Sequence, residues 1–76
     1  MPKLPIVSEQ ETVRALERAG FVFNHQRSSH IILYHEQRRR TATVSVHGSR
    51  DLAPGTLHEI LRQAGLTVDE FIALLD

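Results

Sequence analysis

The hydrophobic pattern of this chain changes its period twice, and the two changes set the order of its secondary structure. Up to Ala19, and again from Pro54 onward, apolar residues recur at the three- and four-residue spacing of amphipathic helices. The segment between them carries β-branched and aromatic residues in strand-like runs. We therefore expect three helices and three strands in the order α-β-β-β-α-α.

Residues that start and stop helices mark the ends of the three helical segments. Ser8 with Glu11, and Thr67 with Glu70, have the spacing of capping boxes, in which a hydroxyl and a carboxylate each accept a hydrogen bond from the other residue's amide. Pro54 suits the first turn of the middle helix, because the amide hydrogen that proline lacks has no intrahelical partner there. The first helix is expected to bury one apolar stripe, consisting of Val13, Leu16 and Ala19 with Ala15 beside them.

Three strands are predicted between the first two helices. The stretch from Phe21 to Arg27 is apolar at its start and polar at its end, Ser28-Ser29 forms a turn, and a second strand follows through Tyr34. After a charged loop, the stretch from Thr41 to His47 alternates between apolar and polar residues. We expect an α+β fold, in which a three-stranded antiparallel sheet has its helices gathered on the apolar face.

The size of the chain limits where chemistry can take place. Its 76 residues, 41% of them hydrophobic and none of them cysteine, suffice for one modest core without disulfides or thiolate metal sites. We expect a single domain over residues 1–76 that acts on an open face rather than in a deep cavity. No apolar run approaches the roughly 18 residues of a membrane span, and no signal-peptide core is present. The expectation is a soluble, cytoplasmic protein with no membrane attachment.

The charges cancel over the whole chain but are unevenly distributed. Residues 1–50 hold eight of the nine Lys and Arg against four glutamates, whereas residues 51–76 hold one arginine against five acidic residues. The basic surplus is concentrated in the central segment, at Arg27, Arg38, Arg39, Arg40 and Arg50. Such a segment is typical of a surface that binds phosphate, although a solvated loop explains Arg38 to Arg40 equally well.

His30 is the residue best suited to chemistry. It follows the Arg27-Ser28-Ser29 turn and begins an apolar strand, and an imidazole gains and loses a proton near neutral pH. An exposed histidine without a function is the simpler interpretation of these residues alone. A zinc site fits poorly, because His25, His30 and His35 follow one another at an odd spacing that alternates faces along a strand. His47 ends the third predicted strand, and sequence alone does not decide whether it lies near His30.

Five segments in succession resemble the HicA family of bacterial toxins. They span nearly the whole chain: Leu16 to Phe21, Arg27 to His30, Val46 to Gly48, Leu52 to Leu57 and Ile60 to Leu66. The resemblance implies a fold like that of a double-stranded-RNA-binding domain, mRNA interferase activity without a cofactor, and a HicB-type antitoxin as the partner that blocks the active histidine. The family's Gly-Ser-His motif falls on Ser28, Ser29 and His30. Two residues depart from it, since Ser28 replaces the usual glycine and His25 replaces a common arginine.

The resemblance and the residue chemistry together predict a metal-independent endoribonuclease. RNA carries its own nucleophile in the 2′-hydroxyl, so cleavage needs a base, an acid and cations for the developing charge. His30 is predicted to be the catalytic base or acid, with Ser29 and His47 as supporting residues. The cations predicted to bind RNA phosphate are Arg27, Arg38, Arg39 and Arg40. Two other functions remain open: a non-catalytic RNA-binding module and a protein-interaction domain.

Overall fold

The computed structural model describes residues 3–46, 48 and 50–75, which contain three helices and three strands. In chain order these are α1 (Glu9–Arg18), β1 (Val22–Arg27), β2 (His30–His35), β3 (Arg40–Ser45), α2 (Pro54–Ala64) and α3 (Val68–Leu74). The predicted α+β class and the predicted element order are both confirmed. Among the described residues, no helix combines the length and the apolar character that crossing a membrane requires.

Two helices start with the capping boxes that the sequence predicts. The Ser8 hydroxyl accepts a hydrogen bond from the Glu11 amide at 3.1 Å, and the Glu11 carboxylate accepts one from the Ser8 amide at 2.9 Å. Thr67 and Glu70 repeat the arrangement at the start of α3. In each box the hydrogen bond from the backbone amide of Ser8 or Thr67 is the largest cause that lowers the pKa of the glutamate.

The strands form an antiparallel sheet in the order β1-β2-β3. Leu33 lies opposite Ala42, and all three of Leu33, Ala42 and Val44 are buried, which identifies the face against which the helices pack. We call the other side the outer face, since strand alternation directs His30, Ile32 and every residue opposite them to it. The sheet therefore has one covered and one open side, as the sequence predicts.

The core forms between the sheet and helices α1 and α2, and α3 is attached to α1. The larger core side chains, all nearly inaccessible, include Phe21, Leu33, Leu57, Ile60 and Phe71. The Arg18 guanidinium donates a hydrogen bond of 2.8 Å to the carbonyl of Leu74, which joins the end of α1 to the end of α3. Because the core lies on one side of the sheet only, it leaves the outer face available for function.

The buried stripe of α1 differs from the predicted one. Thr12, Ala15 and Leu16 are fully buried, whereas Val13 and Ala19 are only half-buried. The predicted apolar stripe does not include Thr12, whose side chain carries a polar hydroxyl. The hydroxyl donates a hydrogen bond of 2.9 Å to the carbonyl of Ser8, and a buried polar group with such a partner is tolerated in the core.

Strand β3 is shorter than the sequence predicts. It ends at Ser45 rather than at His47, although the Val46 amide still donates to the carbonyl of Ser29 at 2.7 Å. His47 lies outside the described residues. At the opposite end of the sheet, Gly20 has φ 107°, and a Cβ atom on it would stand 2.7 Å from Nε2 of His35. Only glycine fits between α1 and β1 here, because the His35 ring approaches the backbone so closely.

Candidate active site

His30 is positioned by a two-residue hairpin turn. Arg27 ends β1 and pairs with His30 at the start of β2, so that Ser28 and Ser29 alone connect the strands. The Gln26 side chain donates to the carbonyl of Ser28 at 3.2 Å, and the Ser29 carbonyl accepts from the Val46 amide. The turn is therefore held on both sides, which fixes the backbone position of His30.

Ser28 adopts a backbone conformation that glycine usually supplies. Its φ is 56°, in the left-handed region, whereas Ser29 has no positive φ. Two-residue hairpin loops match the twist of the strands when at least their first central residue has a positive φ, and glycine is favoured there. Serine thus makes the turn that the sequence predicts, but in a strained conformation.

Three polar residues form a row across the outer face. Arg27 lies opposite His30, and His30 in turn lies opposite Ser45, which places the three side chains on the same side of the sheet. His30 and Arg27 are both exposed, and Ser29 beside them is half-buried. Among the described residues, no carboxylate pairs with Arg27. The outer face therefore presents the His30 imidazole beside the Arg27 guanidinium, which has no carboxylate partner among the described residues, and the Ser45 hydroxyl follows in the same row.

A β-bulge decides which side chains of β1 reach this row. Phe23 pairs with Leu33 and His25 pairs with Ile32, so Asn24 is the extra residue between two consecutive pairs. Simple alternation from Phe23 would turn His25 and Arg27 toward the helices. Because the extra residue shifts the alternation of side chains by one position, His25 and Arg27 instead face outward beside His30.

The bulge could have been suspected from the sequence, because it resolves a conflict in the pattern of β1. Phe21, Phe23, His25 and Arg27 stand at alternating positions, so that a regular strand would place apolar and charged residues on one face. From the sequence, His25 is a candidate only as a metal ligand and as a departure from the family motif. The structure places its exposed ring on the outer face, with Nδ1 3.0 Å from Oδ1 of Asn24.

The other predicted phosphate-binding arginines lie at the far end of the sheet. Arg40 pairs with His35, five residues along β2 from His30, which corresponds to about 16 Å at roughly 3.3 Å per residue. Nη1 of Arg38 and of Arg40 lie 3.5 Å from the carbonyls of Gly65 and Arg62 respectively, at the carboxyl end of α2. Cations stabilise this end of a helix, so two of the three arginines have a structural role there.

His35 and His58 differ from His30 in their surroundings. His35 is buried, its Nδ1 accepts a hydrogen bond of 3.1 Å from the Arg38 amide, and its ring meets that of Phe21 edge-on with centroids 5.1 Å apart. His58 is exposed on α2. Within the described part of the chain, no three His, Asp or Glu side chains are grouped so that they could hold a metal ion.

Comparison with known proteins gives one finding on the family. The family model described as the HicA toxin of bacterial toxin-antitoxin systems matches residues 10–66. The matched range contains the serine turn, the row of Arg27, His30 and Ser45, the bulge and the arginine loop. A comparison with curated proteins finds none that matches the chain.

Proposed function

The chain belongs to the HicA family of toxins of bacterial toxin-antitoxin systems, and from this premise we propose that it is an endoribonuclease that cleaves mRNA with His30 as a proton-transfer residue. The observation that carries the proposal is the exposed pair of His30 and Arg27 on the open side of the sheet. A ribose-phosphate chain can approach both groups at once, because the helices pack against the other side.

The roles follow from what cleavage of RNA requires. His30 takes the proton of the 2′-hydroxyl, whose oxygen then attacks the adjacent phosphorus. Arg27, directly opposite, stabilises the negative charge that develops on the phosphate oxygens. Ser29 orients the imidazole or holds a phosphate oxygen, and His47 remains a candidate for a second proton carrier. The products are a 2′,3′-cyclic phosphate and a 5′-hydroxyl end, and the route needs no metal ion.

Arg38, Arg39 and Arg40 extend the proposed RNA path rather than taking part in the reaction. Arg40 lies about 16 Å from His30 along β2 at roughly 3.3 Å per residue, on the helix-covered side opposite His35, and Arg38 and Arg39 precede it in the loop at that end of the sheet. Their charges would then hold a neighbouring part of the same RNA molecule. We further propose that residues 1–76 form one HicA-like domain in the cytoplasm, and that a HicB-type antitoxin inhibits it by covering His30.

The test compares wild-type protein, His30→Ala and His58→Ala in cleavage of a labelled RNA. His58 is the matched control, since it is an exposed histidine on α2, outside the outer face of the sheet. We expect His30→Ala to lose cleavage at least a hundredfold while keeping salt-dependent RNA binding, and His58→Ala to behave as wild type. Cleavage should persist in the presence of a chelator and yield the cyclic phosphate.

Other outcomes would contradict the proposal. RNA binding without cleavage by the wild-type protein would indicate a non-catalytic RNA-binding module, and an absence of RNA affinity would indicate a protein-interaction domain. Equal cleavage rates for His30→Ala and wild type would exclude the histidine mechanism. The same three proteins, expressed in bacteria, should inhibit growth and degrade RNA in the same order.

A further inference from the structure

We propose that His25 is a second catalytic histidine, which donates a proton to the leaving 5′-oxygen while His30 accepts one from the 2′-hydroxyl. This inference rests on the proposed function and adds a residue to it. A single imidazole cannot take one proton and give another in the same step, so a concerted cleavage needs two groups. His47 lies outside the described residues, whereas His25 is an exposed residue on the outer face beside His30 and is the candidate that the described geometry favours.

The register of the sheet places His25 and His30 at neighbouring positions on β1 and β2, on the same face. His25 lies opposite Ile32, and His30 stands two residues before Ile32 on β2. The two histidines are therefore diagonal neighbours on one face, with a separation between their Cα atoms of about 7 to 8 Å. Rings projecting from such positions can reach opposite sides of one phosphodiester group. Arg27 lies on the same face, two residues from His25 and directly opposite His30, where it can contact the phosphate between them.

This placement depends on the bulge at Asn24. Without the extra residue, His25 would share the core face with Phe23, and β1 would present Arg27 to the helices as well. Bulges commonly redirect side chains next to active sites. Asn24 has a second effect, because its side-chain oxygen lies 3.0 Å from Nδ1 of His25. That contact leaves Nε2 as the nitrogen that faces the substrate.

The hydrogen bond to Asn24 favours the role of acid for His25. A charged imidazole donates from both of its nitrogens, and the Asn24 oxygen already accepts from one of them. The charged or titratable groups that face His25 are Arg27 on its own strand and His30 and Tyr34 on β2, with Ile32 directly opposite. Because the helices pack against the other face of the sheet, Nε2 stays accessible to an RNA leaving group.

The proposed step balances without any further reactant. The bond between the 2′-oxygen and phosphorus forms as the 2′-hydroxyl proton moves to His30. The bond between phosphorus and the 5′-oxygen breaks as that oxygen takes the Nε2 proton of His25. The products are the 2′,3′-cyclic phosphate and the 5′-hydroxyl, and both rings return to their starting states by exchanging protons with water.

The experiment uses two RNA substrates that differ in one atom of the leaving group. In the second substrate, sulfur replaces the bridging 5′-oxygen at the cleavage site, and the resulting thiolate leaves without needing a proton. We expect His25→Ala to lower kcat on ordinary RNA by a hundredfold or more and on the sulfur substrate by less than tenfold. His30→Ala should be impaired on both, because the attacking 2′-hydroxyl is the same in each.

His25→Arg separates proton transfer from charge. It keeps a cation at the position and restores the residue common in the family, but a guanidinium does not release its proton at neutral pH. We expect this variant to be as impaired as His25→Ala on ordinary RNA. In both variants the fall in rate at high pH should disappear, because that fall reports the loss of the donated proton.

Three results would overturn the role of His25. These are wild-type rates for His25→Arg, an unchanged pH profile for His25→Ala, and a loss in His25→Ala that the sulfur substrate does not restore. Each of them leaves the proposed function intact if His30→Ala remains inactive. If wild-type protein does not cleave RNA, or His30→Ala cleaves it at the wild-type rate, the proposed function itself is wrong. Equal Tm values for all variants show that the rates compare folded proteins, as expected for exposed residues.

Discussion

The two ends of the β-sheet share one backbone feature but differ in loop length and in surroundings. Each connection contains one non-glycine residue with a positive φ, Ser28 at 56° and Arg39 at 53°. At the serine end, His30 and Arg27 face solvent. At the arginine end, Arg38 and Arg40 reach the carboxyl end of α2, and His35 is buried beneath them. The basic residues at the two ends thus differ in role: Arg27 belongs to the proposed site, whereas Arg38 and Arg40 contact α2.

The number of arginines in a segment does not locate a phosphate site in this chain. Arg38 to Arg40 form the densest basic run in the chain, yet the guanidinium group of Arg40 lies over Gly65, where a Cβ atom would come within 2.6 Å of its Nε. Arg27 is isolated in sequence and lies next to the histidine in space. The difference arises from strand pairing, which joins residues that are distant along the chain.

The largest effect is expected at the arginine end, on stability. His35→Ala removes a buried ring from Phe21 and leaves the Arg38 amide without its acceptor, so the free energy of unfolding should fall by about 2 to 3 kcal/mol. Urea unfolding measures the change, with His58→Ala as an exposed control that should fall within about 0.5 kcal/mol of wild type. If His35→Ala instead abolished cleavage without destabilising the fold, the arginine end would belong to the active site.

The next effect is expected at the serine end, on activity. Arg27→Ala should lower kcat/KM for RNA by about tenfold to a hundredfold, since a hydrogen bond to a charged group contributes about 1.5 to 3 kcal/mol. Its Tm should stay unchanged, because the side chain is exposed. Arg38→Ala is the matched comparison and should lower kcat/KM less than about threefold while reducing Tm. A reversal of these two results would place the substrate at the other end of the sheet.

The helix ends and the hairpin turn could be predicted from the sequence because the residues that determine them are close together in the chain. Ser8 with Glu11 and Thr67 with Glu70 are three residues apart, and Pro54 starts α2 through its own ring geometry. The two-residue turn after Arg27 is equally local. Such features depend on neighbouring backbone groups, which the order of residues specifies directly.

The arrangement of the site depends on non-local pairing and was therefore harder to predict. Neither the bulge at Asn24 nor the pairing of His30 with Ser45 can be inferred from one strand alone. It is the bulge that turns His25 to the outer face. Burial of Thr12 was missed for a different reason, since its hydroxyl donates to the carbonyl of Ser8, only four residues away, and so satisfies a polar group that would otherwise favour the surface. The roles predicted for His30, Arg27, Ser29 and the arginine loop stay predictions that the experiments above test.

Backbone strain gives a smaller effect that both ends should share. Ser28→Gly should raise the free energy of unfolding by about 0.5 to 1 kcal/mol, because glycine adopts a positive φ without the steric cost that serine bears. Arg39→Gly should do the same at the other turn. Ser29→Gly is the control and should destabilise the protein slightly, since Ser29 has no positive φ to relieve. Opposite signs for Ser28→Gly and Arg39→Gly would show that packing, not backbone conformation, controls one of the turns.

The smallest effect concerns the pKa of Glu70, which connects α3 with the arginine end. Its pKa is lowered mainly by the hydrogen bond from the Thr67 backbone amide, then by the Thr67 side chain, and the positive charge of Arg38 lowers it further. Arg38→Ala should therefore move this pKa upward toward its ordinary value, whereas Arg27→Ala at the serine end should not move it. An NMR titration of the Glu70 side chain measures both.

A lowered pKa in the folded state also makes stability depend on pH. The ionised form of Glu70 is favoured by folding, so its contribution is fully present above the pKa of the unfolded chain and is lost as the pH falls through the lower folded value. Glu70→Gln should consequently weaken the loss of stability in acid while leaving the neutral-pH transition cooperative. An equal shift of the Glu70 pKa in Arg27→Ala and Arg38→Ala would mean that the two ends of the sheet are not electrostatically separate.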